Sequence, residues 1–296
     1  MSQILTLIGN KNTDLSADLA DAVAQSLKIT ADPVWLKPGH ACDLAVETKD
    51  QATTLAEARA ALNGALIDVV VQPIQHRRKM LLVADMDSTI IEQECIDELA
   101  DALGLRAEIS GITERAMRGE LEFEPALRER VALLKGLAES ELQRVYETQI
   151  TETPGGRALC ATMQKHGGTC ALVSGGFTFF TERVSKAVGF SSNQANTLLI
   201  KNGKLTGEVS NPILGREAKV SALKKLTTEL KLNPAQSMAV GDGANDLGMI
   251  GEAGLGVALH AKPVVAAAAP AQINYGDLTA LLYIQGYREN EIATAL

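Results

Sequence analysis

From Met80 onward one pattern recurs along the chain, a short uninterrupted apolar run ending in a polar residue beside glycine. "MLLVAD", "CALVSGG", "SMAVGDG" and "GLGVAL" carry it, separated by stretches with helical spacing. Apolar strands without alternation, divided by helices, predict a parallel sheet covered on both faces. Ligands bind such sheets at the carboxyl ends of the strands, and Asp85, Ser174 and Asp242 all fall there. Between the first two runs, Ile91 to Glu152 is mostly helical in pattern, too long for one crossover helix and too apolar for a loop. Ile91, Cys95, Leu99 and Leu103 form one stripe. Phe123, Leu127, Arg130 and Leu134 form another, which sets Arg130 on an otherwise apolar face. The expectation is an α/β, Rossmann-like parallel-sheet core with an inserted helical cap at about 91–152, folded over the strand ends. Further on, "NTLLIKNGKLTGEV" predicts a β-hairpin with a type I′ turn at Asn202-Gly203.

Residues 1–74 read as a unit of their own. "QILTLIG", "PVWLK", "CDLAVE" and "LIDVVVQP" have strand patterns, while "LSADLADAVAQSL" and "TTLAEARAALNG" have helical ones. The order βαββαβ is the ferredoxin-like plan. In that order the segment resembles the ACT family of regulatory and dimerisation domains, which implies self-association and hence a homodimer. Residues 75–79 hold the basic run His76-Arg77-Arg78-Lys79, read as a solvated linker, and 80–296 form the α/β domain. All strand-end polar residues lie beyond Met80, so their chemistry is expected to survive truncation near His76.

Composition narrows the partners. A net charge of −8 argues against a nucleic acid held by its phosphates, and 3% aromatics argue against a base-stacking platform. No apolar stretch reaches the length of a membrane span, and the N-terminus lacks signal-peptide character. Cys42, Cys95, Cys160 and Cys170 show no CxxC pairing and read as buried thiols in a reducing compartment. A soluble cytoplasmic protein acting on a small molecule is expected.

Asp85 and Asp87 in "VADMDST" need a reason, because strand periodicity projects both carboxylates from one side, where they repel. An EF-hand would require glycine where Ile90 stands, and no Walker A motif is present. DxD alone also occurs as a metal ligand in nucleotide-sugar transferases, and either Asp could simply cap a helix. "GDGANDLGM" adds Asp242, Asn245 and Asp246 after a second buried strand. Two acidic strand ends in one parallel sheet make an all-oxygen site for a hard cation, most naturally Mg²⁺. Ser174 with Gly175 and Gly176 offers a hydroxyl and open backbone N–H groups for phosphate oxygens, and Lys219 in "GREAKV" offers a cation.

"DMDST", the Ser of "LVSGG", Lys219 and "GDGAND" resemble, in order, the motifs of the haloacid dehalogenase (HAD) superfamily, over roughly Met80 to the C-terminus. Within it, Glu94, the segment "RAMRGELEFEPALRERVALLKG" and the hairpin resemble the phosphoserine phosphatases. The resemblance implies hydrolysis of O-phospho-L-serine, the last step of serine biosynthesis, through an aspartyl-phosphate on Asp85, with Asp87 moving protons. It implies Mg²⁺ on the Asp85 carboxylate, the Asp87 main-chain carbonyl and Asp242. Ser174, Gly175 and Lys219 would hold phosphoryl oxygens, with Asn245 and Asp246 ordering the surroundings. Glu94, Phe123 and Arg130 would meet the rest of the substrate, Arg130 its carboxylate and Glu94 its ammonium. Two other outcomes stay open: a phosphotransferase using the same intermediate, and a serine-responsive regulator working through residues 1–74.

Overall fold

The computed structural model describes residues 2–48, 50–118 and 120–294. The chain begins with β1 (Ser2–Ile8), α1 (Ala17–Ser26), β2 (Val34–Lys37), β3 (Ala41–Glu47), α2 (Gln51–Ala61) and β4 (Asp68–Pro73). The strands form an antiparallel sheet in the order β2-β3-β1-β4, which is the expected ferredoxin-like arrangement. Each helix starts on a side-chain cap: Ser16 accepts the Leu19 N–H at 3.2 Å, and Asp50 accepts that of Thr53 at 3.2 Å. Alternate strand residues Leu5, Leu7, Leu44, Val69 and Val71 pack with Ala20, Val23 and Ala58 of the two helices. The likeness to ACT domains rests on this topology alone.

The chain continues through β5 (Leu81–Ala84), α3 (Cys95–Asp101), α4 (Arg106–Met117), α5 (Phe123–Leu133), α6 (Ser140–Gln149), α7 (Gly156–Lys165), β6 (Thr169–Phe177) and α8 (Thr178–Val188). After these come β7 (Ser192–Asn196), β8 (Leu198–Lys201), β9 (Lys204–Val209), α9 (Arg216–Glu229), β10 (Ser237–Gly241), α10 (Leu247–Glu252), β11 (Leu255–Leu259), α11 (Pro263–Ala268), β12 (Ala271–Ile273) and α12 (Ala280–Ile284). Strands β11-β10-β5-β6-β7 are parallel neighbours in that order. The central β5 and β10 are buried on every residue, as their unbroken apolar sequence predicts. Helices α3 to α6 occupy the segment expected to be a cap. Its second stripe holds, with Leu127, Arg130 and Leu134 all buried. The first fails at Leu103, which is 39% exposed, because α3 ends at Asp101 and Gly104 turns the chain at φ +69°. Strands β8 and β9 form the expected hairpin, with Asn202 and Gly203 at φ 54° and 71° as a type I′ turn requires.

The chain divides into two compact units that do not follow its order. The first holds the segment ending at Met80, Pro154–Gly168 and the chain from Ala271 onward; the second holds Leu81–Thr153 and Thr169–Pro270. Within the first unit the basic run is not a solvated linker. The Arg77 guanidinium donates to both Asp43 oxygens at 2.6 and 2.7 Å and to the carbonyls of Tyr283 and Ile284. Asp43 and Lys79 are both buried. A carboxylate buried in the sheet needs a paired cation, and Arg77 supplies it. Among the described residues no helix is long and apolar enough to cross a membrane.

Candidate active site

Every residue of the site lies in the second unit. Asp85 directly follows β5, and its N–H continues the ladder to Val240 of β10 at 3.0 Å. One of its carboxylate oxygens accepts the Met86 N–H at 2.7 Å, and the other pairs with Lys219 Nζ at 2.7 Å. Lys219, on α9, is fully buried and also donates to Asp246 Oδ1 at 2.6 Å. The second Asp246 oxygen accepts the N–H groups of Asp242 and Gly243 at 3.2 and 3.1 Å. Asp246 therefore has both oxygens engaged and acts as the brace between Lys219 and the turn after β10. That turn depends on Gly241, whose missing Cβ would collide with the Asp246 carboxylate. Asp242 accepts a hydrogen bond from Thr89 at 3.3 Å.

Asp87 points elsewhere. Its Oδ1 accepts the N–H of Cys95, the first residue of α3, at 3.0 Å, and its Oδ2 accepts the Ser174 hydroxyl at 3.3 Å. Glu94 accepts the Ser88 hydroxyl at 2.6 Å, from a backbone held at φ 53°. Burial, followed by the charge of Asp85, raises Asp87 to about 6 and Asp246 to about 7. Burial and then Asp87 push Glu94 up to about 8, and Asp242 is raised well above the usual carboxylate range by burial and Glu94. Burial alone would lower the Lys219 ammonium, but the Asp246 and Asp85 carboxylates outweigh it and raise its pKa. The acids thus outnumber the cations that face them.

Asp85, Asp242 and Asp246 bring carboxylate oxygens within 4.8 Å of one another. Each carboxylate oxygen has two acceptor sites. Asp246 is taken up by Lys219 and by the Asp242 and Gly243 N–H groups. Asp85 accepts from Met86 and Lys219, and Asp242 from Thr89, so Asp85 and Asp242 keep more free acceptor sites for a cation. An all-oxygen donor set carrying excess negative charge fits a hard divalent cation and not a thiophilic one.

Of the residues expected from sequence, Asp85, Asp87, Glu94, Phe123, Arg130, Gly175 and Asn245 line one cavity of about 640 Å³. Ser174, Lys219 and Asp242 are almost wholly buried; Ser174 bonds Asp87 and Lys219 bonds Asp85. Ser174 also accepts the Gly176 N–H at 2.8 Å, which fixes the end of β6. The cap residue Phe123 rests on Gly175, where a Cβ would approach its ring to 2.7 Å. Sequence reasoning missed Thr113, Arg216 and Glu217, which also line the cavity. Arg216 and Glu217 stand in "GREAKV" beside Lys219 and could have been found there; Thr113 sits in a helix without a motif.

Residues 82–250 match the sequence profile of the haloacid dehalogenase-like hydrolases. A phosphoserine phosphatase of Streptomyces coelicolor is 42% identical over 250 residues, which is 84% of this chain and 60% of that protein's length. One from a Polaromonas species is 44% identical over 224 residues, 74% of this chain and 95% of that protein. The solved phospho-aspartyl intermediate analogue of phosphoserine phosphatase aligns with a TM-score of 0.67 at 38% identity, covering 70% of this chain and 98% of that one.

Proposed function

The chain belongs to the haloacid dehalogenase-like hydrolases, and within them we propose that it hydrolyses O-phospho-L-serine to L-serine and phosphate. One observation carries this reading. A single cavity is lined on the strand-end side by Asp85 and Asp87 and on the cap side by Arg130 and Glu94, a guanidinium and a carboxyl that an arriving ammonium would ionise. Phosphoserine pairs a phosphate ester with a nearby carboxylate and ammonium, so this set of charges is complementary to it.

Asp85 attacks phosphorus in line, giving an aspartyl-phosphate and expelling the seryl alkoxide. The relative solved as a phospho-aspartyl intermediate analogue supports that step. Asp87 protonates the departing oxygen and later takes the proton of the attacking water. Its pKa of about 6, set by burial and Asp85 against the Cys95 N–H, suits both tasks near neutral pH. Lys219, Ser174 and the Gly175 backbone hold phosphoryl oxygens, and Asn245 lines the same cavity as Gly175. A divalent cation on Asp85 and Asp242, Mg²⁺ in this reading, supplies positive charge to the phosphoryl group when bound. Residues 1–74 are proposed as a module that pairs two copies in a homodimer, supported by the edge position of β2 in its sheet and by the half-exposed Val34 on it.

The test is a panel of phosphomonoesters assayed with the purified chain and Mg²⁺. L-Phosphoserine should exceed phosphoethanolamine and p-nitrophenyl phosphate in kcat/KM by about tenfold or more, the value of one charge-assisted hydrogen bond. Phosphate release should not accelerate with added acceptor alcohols. A flat profile across the panel would remove the substrate assignment.

A further inference from the structure

We propose that Thr113, backed by Asp97, is a positioning residue that keeps Arg130 aimed at the substrate carboxylate. This rests on the reading of Arg130 given above. Arg130 is 6% exposed on α5, and its guanidinium has two bonds that fix it: Nε–H to the Ala126 carbonyl at 3.1 Å and Nη1–H to Thr113 Oγ1 at 2.9 Å. The first comes from its own helix. The second reaches across to α4, so among the described residues it is the bond that sets the plane of the guanidinium against a neighbouring element.

Thr113 is itself held. Its hydroxyl has one proton and two acceptors in reach, Asp97 Oδ1 on α3 and the Ile109 carbonyl one turn back, each at 3.0 Å. A carboxylate is the stronger acceptor, so the proton goes to Asp97 and a lone pair is left facing Arg130. The other Asp97 oxygen accepts the Ser110 hydroxyl at 2.8 Å, which keeps the carboxylate from turning. Three cap helices thus meet at one hydroxyl, and Thr113 and Arg130 both line the cavity while Asp97 stands behind them.

Thr113 also acts as a spacer. Glu94 and then Asp97 attract the Arg130 charge, but the Thr113 hydroxyl lies between the guanidinium and Asp97 and takes the hydrogen bond that a direct ion pair with Asp97 would use. A guanidinium spent on Asp97 could not present its fork to a substrate. With the hydroxyl interposed, Arg130 is oriented by Asp97 without being consumed by it.

The experiment compares Thr113→Val, Thr113→Ser, Asp97→Asn and Arg130→Ala on L-phosphoserine and on phosphoethanolamine, which keeps the phosphate and ammonium but lacks the carboxylate. Thr113→Val should raise KM for phosphoserine about tenfold, with kcat within about twofold and kcat/KM for phosphoethanolamine unchanged. Thr113→Ser should restore the KM. If Thr113→Val does not fold, Asp97→Asn carries the test and must show the same selective rise. A selective Arg130→Ala beside an unselective Thr113→Val, or beside an unselective Asp97→Asn where that variant stands in, overturns the positioning role alone. An Arg130→Ala that penalises both substrates equally overturns the reading of Arg130, and this inference with it.

Discussion

At the scale of single residues the site is a problem in charge. Lys219 is fully buried and is the cation that Asp85 and Asp246 share, at 2.7 and 2.6 Å. Breaking a buried pair leaves an uncompensated charge at a cost of about 3–5 kcal/mol. Lys219→Met should therefore destabilise the metal-free chain by about that much in urea unfolding near neutral pH. The loss should shrink in acid, where a proton neutralises Asp246, whose pKa is already raised to about 7. A change below about 1 kcal/mol would mean that Asp246 and Asp85 are stabilised by something other than this ammonium. The residues that made the site legible in sequence, Asp85, Asp87, Asp242 and Asp246, stand in two short clusters after apolar runs. Thr89 and Thr113 gave no such signal, since their importance comes only from which carboxylate the fold sets beside them.

At the scale of elements, what must be explained is how the cap meets the strand ends. Most elements were readable because burial periodicity is local: the unbroken runs of β5 and β10, the hairpin turn at Asn202-Gly203, the stripe of α5. The end of α3 was not, since Leu103 continues the apolar spacing after the helix has stopped. Phe123 opens α5 and rests on Gly175 of β6, where an added Cβ would come within 2.7 Å of the ring. Real Cβ contacts do not approach so closely, so Gly175→Ala must push the Phe123 ring aside at the start of the helix that carries Arg130. Misplacement on the order of an ångström costs about 100-fold in rate, so kcat/KM for phosphoserine should fall by about that factor. Thermal stability should change little. Phe123→Ala removes the obstruction, so the double variant should lose less than the two single losses together. Strict additivity in that cycle would show that Gly175 serves the phosphate and not the cap.

Across the whole molecule, chain order misleads about which parts hold together. A run of basic residues suggests a division near His76, yet within the first unit Arg77 binds Asp43 and the carbonyls of α12. In the same unit the Asp68 carboxylate accepts the N–H groups of Asn274, Tyr275 and Gly276. Contacts separated by some two hundred residues leave no local pattern to read. A chain starting at His76 should consequently aggregate or melt well below the intact protein, since these N–H groups and the buried face of α12 lose their partners; an unchanged melting temperature would show them dispensable. Stability should also depend on pH in a way that reports the metal. In the metal-free protein Asp87, Asp246 and Glu94 have pKa values of about 6, 7 and 8, whereas unfolded carboxylates titrate near about 4. Between those limits the folded chain binds more protons than the unfolded one, so the contribution of this cluster is fully present in acid and is lost as pH rises through the folded values. A divalent cation on Asp85 and Asp242 supplies at high pH the positive charge that protons supply at low pH, and the two compete. The rise in melting temperature on adding Mg²⁺ should therefore be larger near pH 8 than at about pH 5.5. Scanning calorimetry at both values decides it: an equal shift, or a larger one in acid, would place the cation away from these carboxylates.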